Sequence, residues 1–279
     1  MMNLPTSVSP ELTRLLAACA SLVQADSRAG AAWLAGSFGR GDADAYSDID
    51  LHVLVPSEAD ADAIEADMSG WLAPVAPLVG AKKVFTHLYH CVTTKGDRID
   101  VLFYVEPSHE TDTREIVVLK DNGGVLRHAD GPLFDAAKAM SVDVAEIWRM
   151  TLLLPVMLGR GEYLRLFHGI SIKYGFILNL LVRGRGYPRP VGVKKLNDLL
   201  RPEDRQRMAE AVRVPILDAV SLARAELRLA AIVRDLGPEC CARIGVPYPQ
   251  EWEDVTRGRL QRDLPSLGMG DILRETLNW

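Results

Sequence analysis

Apolar side chains recur three and four positions apart over residues 10–25 (PELTRLLAACASLVQA), the spacing of an amphipathic helix. A short apolar run, AAWLAG, then leads into the glycine-bearing turn Gly36-Ser37-Phe38-Gly39-Arg40-Gly41. Residues 48–55 (DIDLHVLV) read as a strand and 58–72 as a single helix. Two β-like runs follow, at 83–92 and 98–105, and the turn Lys95-Gly96-Asp97 between them predicts a hairpin. From Asp143 onward the period is helical, over roughly 143–158, 161–183, 194–200, 203–213, 215–235 and 250–262. Pro155 is placed to kink the first of these, and GRGYPRP (184–190) interrupts the series. The pattern predicts an α+β chain: a mixed-sheet domain over residues 1–140, then an all-α helical bundle over 141–279.

At 279 residues, 48% hydrophobic and 25% charged, the chain has the composition of a globular protein that can bury a substantial core. No apolar run reaches the ~18 residues of a membrane span, and the opening MMNLPTSVSPELTRLL lacks the basic start and unbroken apolar stretch of an export signal. A cytoplasmic location is therefore expected. The four cysteines, Cys19, Cys91, Cys240 and Cys241, have no zinc-type spacing and read as reduced structural thiols. Net charge is −5, but residues 1–140 carry −9 and residues 141–279 carry +4. An acidic balance without a basic, aromatic stripe speaks against a nucleic-acid partner.

The chemistry concentrates in Gly36–Leu51, GSFGRGDADAYSDIDL. Residues two apart on a strand share a face, so Asp48 and Asp50 present their carboxylates side by side. Adjacent anions repel unless a cation sits between them, and Mg²⁺ suits the task. It takes one or two carboxylates and completes its octahedron with water and phosphate oxygens. Just upstream, a strand running into Gly36-Ser37 and then a short helix would offer unpaired backbone N–H groups to a phosphate. Glycine permits close approach, Ser37 adds a hydroxyl and Arg40 a cation.

GSFGRG followed by SDIDL resembles the G-S-x-x-R-G…[S/T]-D-[I/L]-D signature of the DNA polymerase β-like nucleotidyltransferase superfamily. The resemblance implies a mixed-sheet catalytic domain in which Asp48 and Asp50 bind magnesium, two ions being expected, while Gly36 and Ser37 hold the triphosphate. It also implies a third carboxylate from a later strand, and Asp100 in RIDVLFYV is the match. The region 145–185, with Gly161-Glu162-Tyr163-Leu164-Arg165 leading into an apolar helix, is similar to the helical region of lincosamide and aminoglycoside nucleotidyltransferases, antibiotic-resistance enzymes. That likeness implies ATP or another NTP as co-substrate, a small-molecule acceptor, and a helical domain that completes the substrate cleft.

Glu162, Arg165, His168 and Lys173 are spaced to line one helix face. Lys173 interrupts ISIKYGFILNLL, so it either snorkels to water or meets an anion; facing a cleft, it would hold the triphosphate. Glu162 or His168 would then take the acceptor's proton. His52 shares the face of Asp48 and Asp50 and is expected to pack or hydrogen-bond beside them, while His87 and His90 fall on opposite faces of one strand. The five tryptophans are scattered and read as core or edge aromatics. Two other readings remain open: a protein-AMPylating enzyme of toxin–antitoxin type, and a non-catalytic nucleotide-binding protein on the same fold. A homodimer is compatible with all of them.

Overall fold

The computed structural model describes residues 7–187 and 196–279. Residues 188–190 of GRGYPRP, the first two positions of the helix expected at 194–200, and the opening hexapeptide lie outside the described residues. The chain divides into two compact units, Met1–Leu133 and Phe134–Trp279.

In the first unit, α1 (Pro10–Ala25) starts where Ser9 accepts a hydrogen bond from the Leu12 N–H and Pro10 occupies the first helical position. Its far end is closed by Lys120, whose ammonium donates to the carbonyls of Val23 and Asp26 at 3.1 and 2.7 Å. There follow β1 (Ala31–Leu34), α2 (Gly36–Arg40), β2 (Ile49–Val55), α3 (Glu58–Glu65), α4 (Met68–Leu72), β3 (Leu78–Phe85), β4 (Leu88–Thr93) and β5 (Arg98–Val105). The unit ends with β6 (His109–Thr111), a 3-10 turn at Thr113–Glu115, β7 (Val117–Asp121) and β8 (Leu126–His128). Six strands form a mixed sheet in the order β3-β4-β5-β2-β1-β7, in which β2 and β5 are parallel and the other neighbours antiparallel. β6 and β8 pair separately.

Alternation divides the sheet into two faces. Ile49, Leu51, Val53 and Val55 of β2, with Ile99, Val101 and Phe103 of β5, are buried in one cluster with the apolar residues of α1, α3 and α4. The polar residues between them turn to the other face, which is where the candidate site lies.

Two expectations are corrected here. The helix expected over 58–72 is two helices: Asp67 leaves helical geometry and its carboxylate caps α4 by accepting from the Gly70 N–H at 2.8 Å. The run 83–92 is not one strand, because a turn at Thr86-His87 separates β3 from β4. His87 adopts φ +63°, uncommon for a residue with a Cβ, and Glu65 holds it at 2.5 Å while also taking Lys83 and the Tyr89 hydroxyl.

The second unit is helical: α5 (Ala136–Thr151), α6 (Leu154–Arg160), α7 (Tyr163–Arg183), α8 (Leu196–Leu199), α9 (Pro202–Ala211), α10 (Ala219–Ile244), α11 (Gln250–Asp263) and α12 (Gly270–Leu277). The expected first helix breaks at Leu152-Leu153, just before Pro155 in the first turn of α6. α10 continues through Pro238, beyond its expected end. Its apolar core runs through Ile147 and Trp148 of α5, Ile170 and Ile177 of α7, and Leu222 and Leu229 of α10. Among the described residues no helix is long and apolar enough to cross a membrane.

Candidate active site

Asp48 immediately precedes β2, Asp50 is its second residue, and Asp100 is the third residue of β5. In the parallel ladder Asp50 is the direct partner of Asp100, so their side chains leave the sheet on the same face. Asp48 lies two residues earlier and is 7% exposed. The sheet thus sets Asp50 beside Asp100, with Asp48 just before the strand that carries Asp50.

The glycine turn is fitted to Asp50. The Ala35 N–H donates to the Asp50 carbonyl at 3.0 Å, tying the end of β1 to β2. Gly36 follows with φ +58°, and a Cβ there would stand 1.9 Å from Asp50 Oδ2. Only glycine allows both the left-handed backbone and this approach. At Gly39 a Cβ would meet the Glu115 carbonyl at 2.1 Å, so the same motif also packs α2 against the 3-10 turn. Ser37 Oγ is buried and, among the described residues, finds no hydrogen-bond partner. A buried hydroxyl left without a partner is costly, and an incoming phosphate oxygen would accept its proton. Arg40 is exposed and pairs with Asp42 at 3.4 Å.

Two basic residues complete the patch: Arg98, which the sequence reading passed over, and His90, which it weighed only as a partner for His87. Arg98 opens β5 on the face of Asp100, with Nη2 3.5 Å from Asp48 Oδ2. His90 is the ladder partner of Asp100 across the β4–β5 hairpin, with Nε2 3.8 Å from Asp100 Oδ2. Both were within reach of the sequence. Arg98 is two residues from Asp100, and a hairpin symmetric about Lys95 pairs position 90 with 100. His87 sits in the turn and takes no part.

His52, on the same face, faces the Tyr104 hydroxyl at 3.1 Å within a group of rings that includes Trp33 and His109. This is the packing role expected of it. On the reverse face, Cys91 is pushed up to about 12 by burial and then by the charge of Asp100, an inert thiol. Cys19 also reaches about 12, and Cys240 and Cys241 about 11, through burial.

The second unit holds the remaining candidates. Lys173 does not share the face of Glu162, Arg165 and His168; it continues the buried series Leu166, Ile170, Ile177 and is fully enclosed. Its ammonium donates to Thr151 Oγ1 at 2.6 Å and pairs with Glu226. Burial pulls it below the ordinary lysine range, against the opposing pull of Glu226. The expected triphosphate contact is corrected accordingly: this cation met its anion inside the bundle. Glu162 occupies the residue before α7 without a side-chain capping bond, and His168 lies about one and a half turns further on, both exposed.

Among the described residues no three His, Cys, Asp or Glu side chains stand as a ready-made metal cage. The donor set nevertheless suits a hard cation. Mg²⁺ needs only one or two carboxylates when phosphate and water complete its shell, and Asp48 and Asp50, with Asp100 alongside, offer oxygen alone.

Residues 12–127 match the family model of a nucleotidyltransferase domain. The matched segment contains the glycine turn and all three carboxylates. It supports the polymerase β-like nucleotidyltransferase superfamily for the first unit, and with it nucleotidyl transfer as the general chemistry and a nucleoside triphosphate as substrate. No curated protein matches the chain.

Proposed function

We propose that this protein transfers a nucleoside monophosphate, AMP the expected one, from a nucleoside triphosphate to a hydroxyl of a small acceptor of the lincosamide or aminoglycoside type, releasing pyrophosphate in a Mg²⁺-dependent reaction. The observation that carries the reading is the pairing of Asp50 with Asp100 in adjacent parallel strands, with Gly36 pressed against the Asp50 carboxylate.

Asp48, Asp50 and Asp100 would hold the magnesium. Bound there, the metal would supply charge neutralisation for the reacting oxygens. The Gly36-Ser37 turn orients the triphosphate, Ser37 Oγ donating to a phosphate oxygen and Arg40 supplying a cation. The acceptor oxygen attacks the α-phosphorus, the bond to the β-phosphate bridging oxygen breaks, and pyrophosphate leaves with the electron pair. The acceptor's proton goes to a general base, for which Asp100 is the candidate on the sheet and Glu162 or His168 are the candidates from the helical unit.

The test is to incubate the purified protein with Mg²⁺ and each radiolabelled triphosphate against a panel of lincosamides and aminoglycosides. The expected result is labelled drug with stoichiometric pyrophosphate. Label on a macromolecule from a lysate would instead identify a protein acceptor. No transfer from any nucleotide to either kind of acceptor would leave a nucleotide-binding protein without this activity.

A further inference from the structure

The carboxylate patch already contains a cation of its own. Asp48 is almost fully enclosed, yet its neighbour Arg98 is half exposed, and their contact at 3.5 Å is longer than a hydrogen-bonded guanidinium–carboxylate fork. Such a pair is weak and exchangeable, because the water-facing partner loses little on leaving. It still has a purpose: Asp50 and Asp100 are ladder partners on one face, Asp48 stands just before β2, and a cation beside Asp48 offsets part of that negative charge. A divalent ion bound by Asp48 would do so more strongly and would set Arg98 free. The guanidinium would then lie next to the place where the metal draws phosphate oxygens, and its planar fork matches them.

Resting on the nucleotidyl-transfer reading, we propose that Arg98 is a positioning residue with two partners in turn: it neutralises Asp48 while no metal is bound, and it grips the triphosphate once metal has taken Asp48. Metal and Arg98 compete, whereas nucleotide and Arg98 cooperate. The two affinities should therefore move in opposite directions when Arg98 is replaced.

Calorimetric titration of the full chain tests this, first with Mn²⁺ alone and then with a non-hydrolysable triphosphate at saturating Mn²⁺. In Arg98→Gln the Mn²⁺ affinity should rise about three- to fivefold, the strength of a half-exposed ion pair. The nucleotide affinity should fall roughly tenfold for loss of a charge-assisted contact, with KM rising more than kcat falls. Arg98→Lys should return Mn²⁺ affinity to the wild-type value while leaving nucleotide affinity reduced, since an ammonium neutralises but has no fork. Mn²⁺ affinity that is unchanged or weaker in Arg98→Gln overturns the proposal, as does unaltered nucleotide affinity. A purely structural role would weaken both ligands together. The functional reading fails separately, if the wild-type protein transfers no nucleotide at all; the Mn²⁺ titration still reads the competition at Asp48 in that case.

Discussion

Both units gather opposite charges, one at a surface and one in an interior, and the contrast separates a site from a structural pair. On the sheet face of the first unit, the side chains of Asp100, His90 and Arg98 are 28%, 52% and 51% exposed; His90 stands 3.8 Å from Asp100, and Arg98 stands 3.5 Å from the enclosed Asp48. In the second unit Lys173 and Glu226 are 0% and 3% exposed and in direct contact, and Arg183 is closed on Asp143 in the same way. Water and solutes reach the first group, so its charges can exchange partners. They do not reach the second, where each charge depends on the partner it folded against. A charged residue inside an apolar run therefore has two readings, and what decides between them is access, not residue type.

The largest expected effect comes from making the surface group neutral. Asp50→Asn keeps the shape that fits Gly36 but loses the charge, and should lower transfer by about a thousandfold, the several kcal/mol of charge stabilisation that a metal ligand supports. Folding should be undisturbed, because the change removes one of two like charges that are ladder partners; pyrophosphate release and a thermal melt measure the two quantities. Transfer at a near-normal rate would remove Asp50 from the chemistry. The interior pair should behave in reverse. Lys173→Met leaves Glu226 buried without its cation and should cost about 3–5 kcal/mol, whereas the double change Lys173→Met with Glu226→Leu should recover most of that. Urea denaturation compares the three proteins, and a loss under about 1 kcal/mol in the single variant would mean the pair is not closed as described.

Between these in character, though smaller in effect, are two glycines of one turn. Gly36→Ala meets a positive φ and a Cβ position 1.9 Å from Asp50 Oδ2, so the carboxylate itself must shift. A displacement of that order should lower transfer by about 10- to 100-fold. Gly41→Ala also meets a positive φ, +76°, but open space, and should cost only the ~1–2 kcal/mol of a left-handed residue, with transfer retained. If both variants lose transfer equally, fit against Asp50 is not what Gly36 provides.

The sequence made the surface group legible because its parts are local. Asp48, Asp50, Gly36 and Ser37 fall within fifteen positions, and strand alternation alone puts the two aspartates on one face. Asp100 came through likeness to a family, and its place beside Asp50 required the parallel pairing of β2 with β5, which no short-range pattern encodes. Lys173 was misjudged for a related reason. Its partner Glu226 is 53 positions away on another helix, and a helix period cannot reveal which neighbour supplies an anion. The turn at Thr86-His87 was hidden because neither residue is glycine or proline; a tertiary contact with Glu65 holds His87 in a conformation its type disfavours. β6, β7, β8 and α12 were not anticipated, and three of these are short elements placed by their neighbours.

The smallest expected effect places a closed pair inside the first unit itself. Asp26 takes two hydrogen bonds from the Arg28 guanidinium, at 2.9 and 2.6 Å, and one from the Trp71 indole at 2.8 Å. The bonds from Arg28 lead in holding its carboxyl down to about 2, from 3.8, against the upward push of partial burial. Because the folded value is the lower one, the stabilisation is fully present above pH about 4 and is lost as pH falls through about 2. The drop corresponds to about 2.4 kcal/mol, which screening at the one-third-exposed Arg28 reduces to about 1–2 kcal/mol. Asp26→Asn should therefore lose about 1–2 kcal/mol at pH 7, with the deficit shrinking below pH about 4 and vanishing only below pH about 2, as urea titrations across that range would record. Transfer per folded molecule should not change, because the groups that Asp26 bonds, Arg28 and Trp71, are none of those assigned to the site. A pH-independent deficit would place the stabilisation in packing, and a loss of transfer would erase the distinction between the acids that close the fold and those that face the glycine turn.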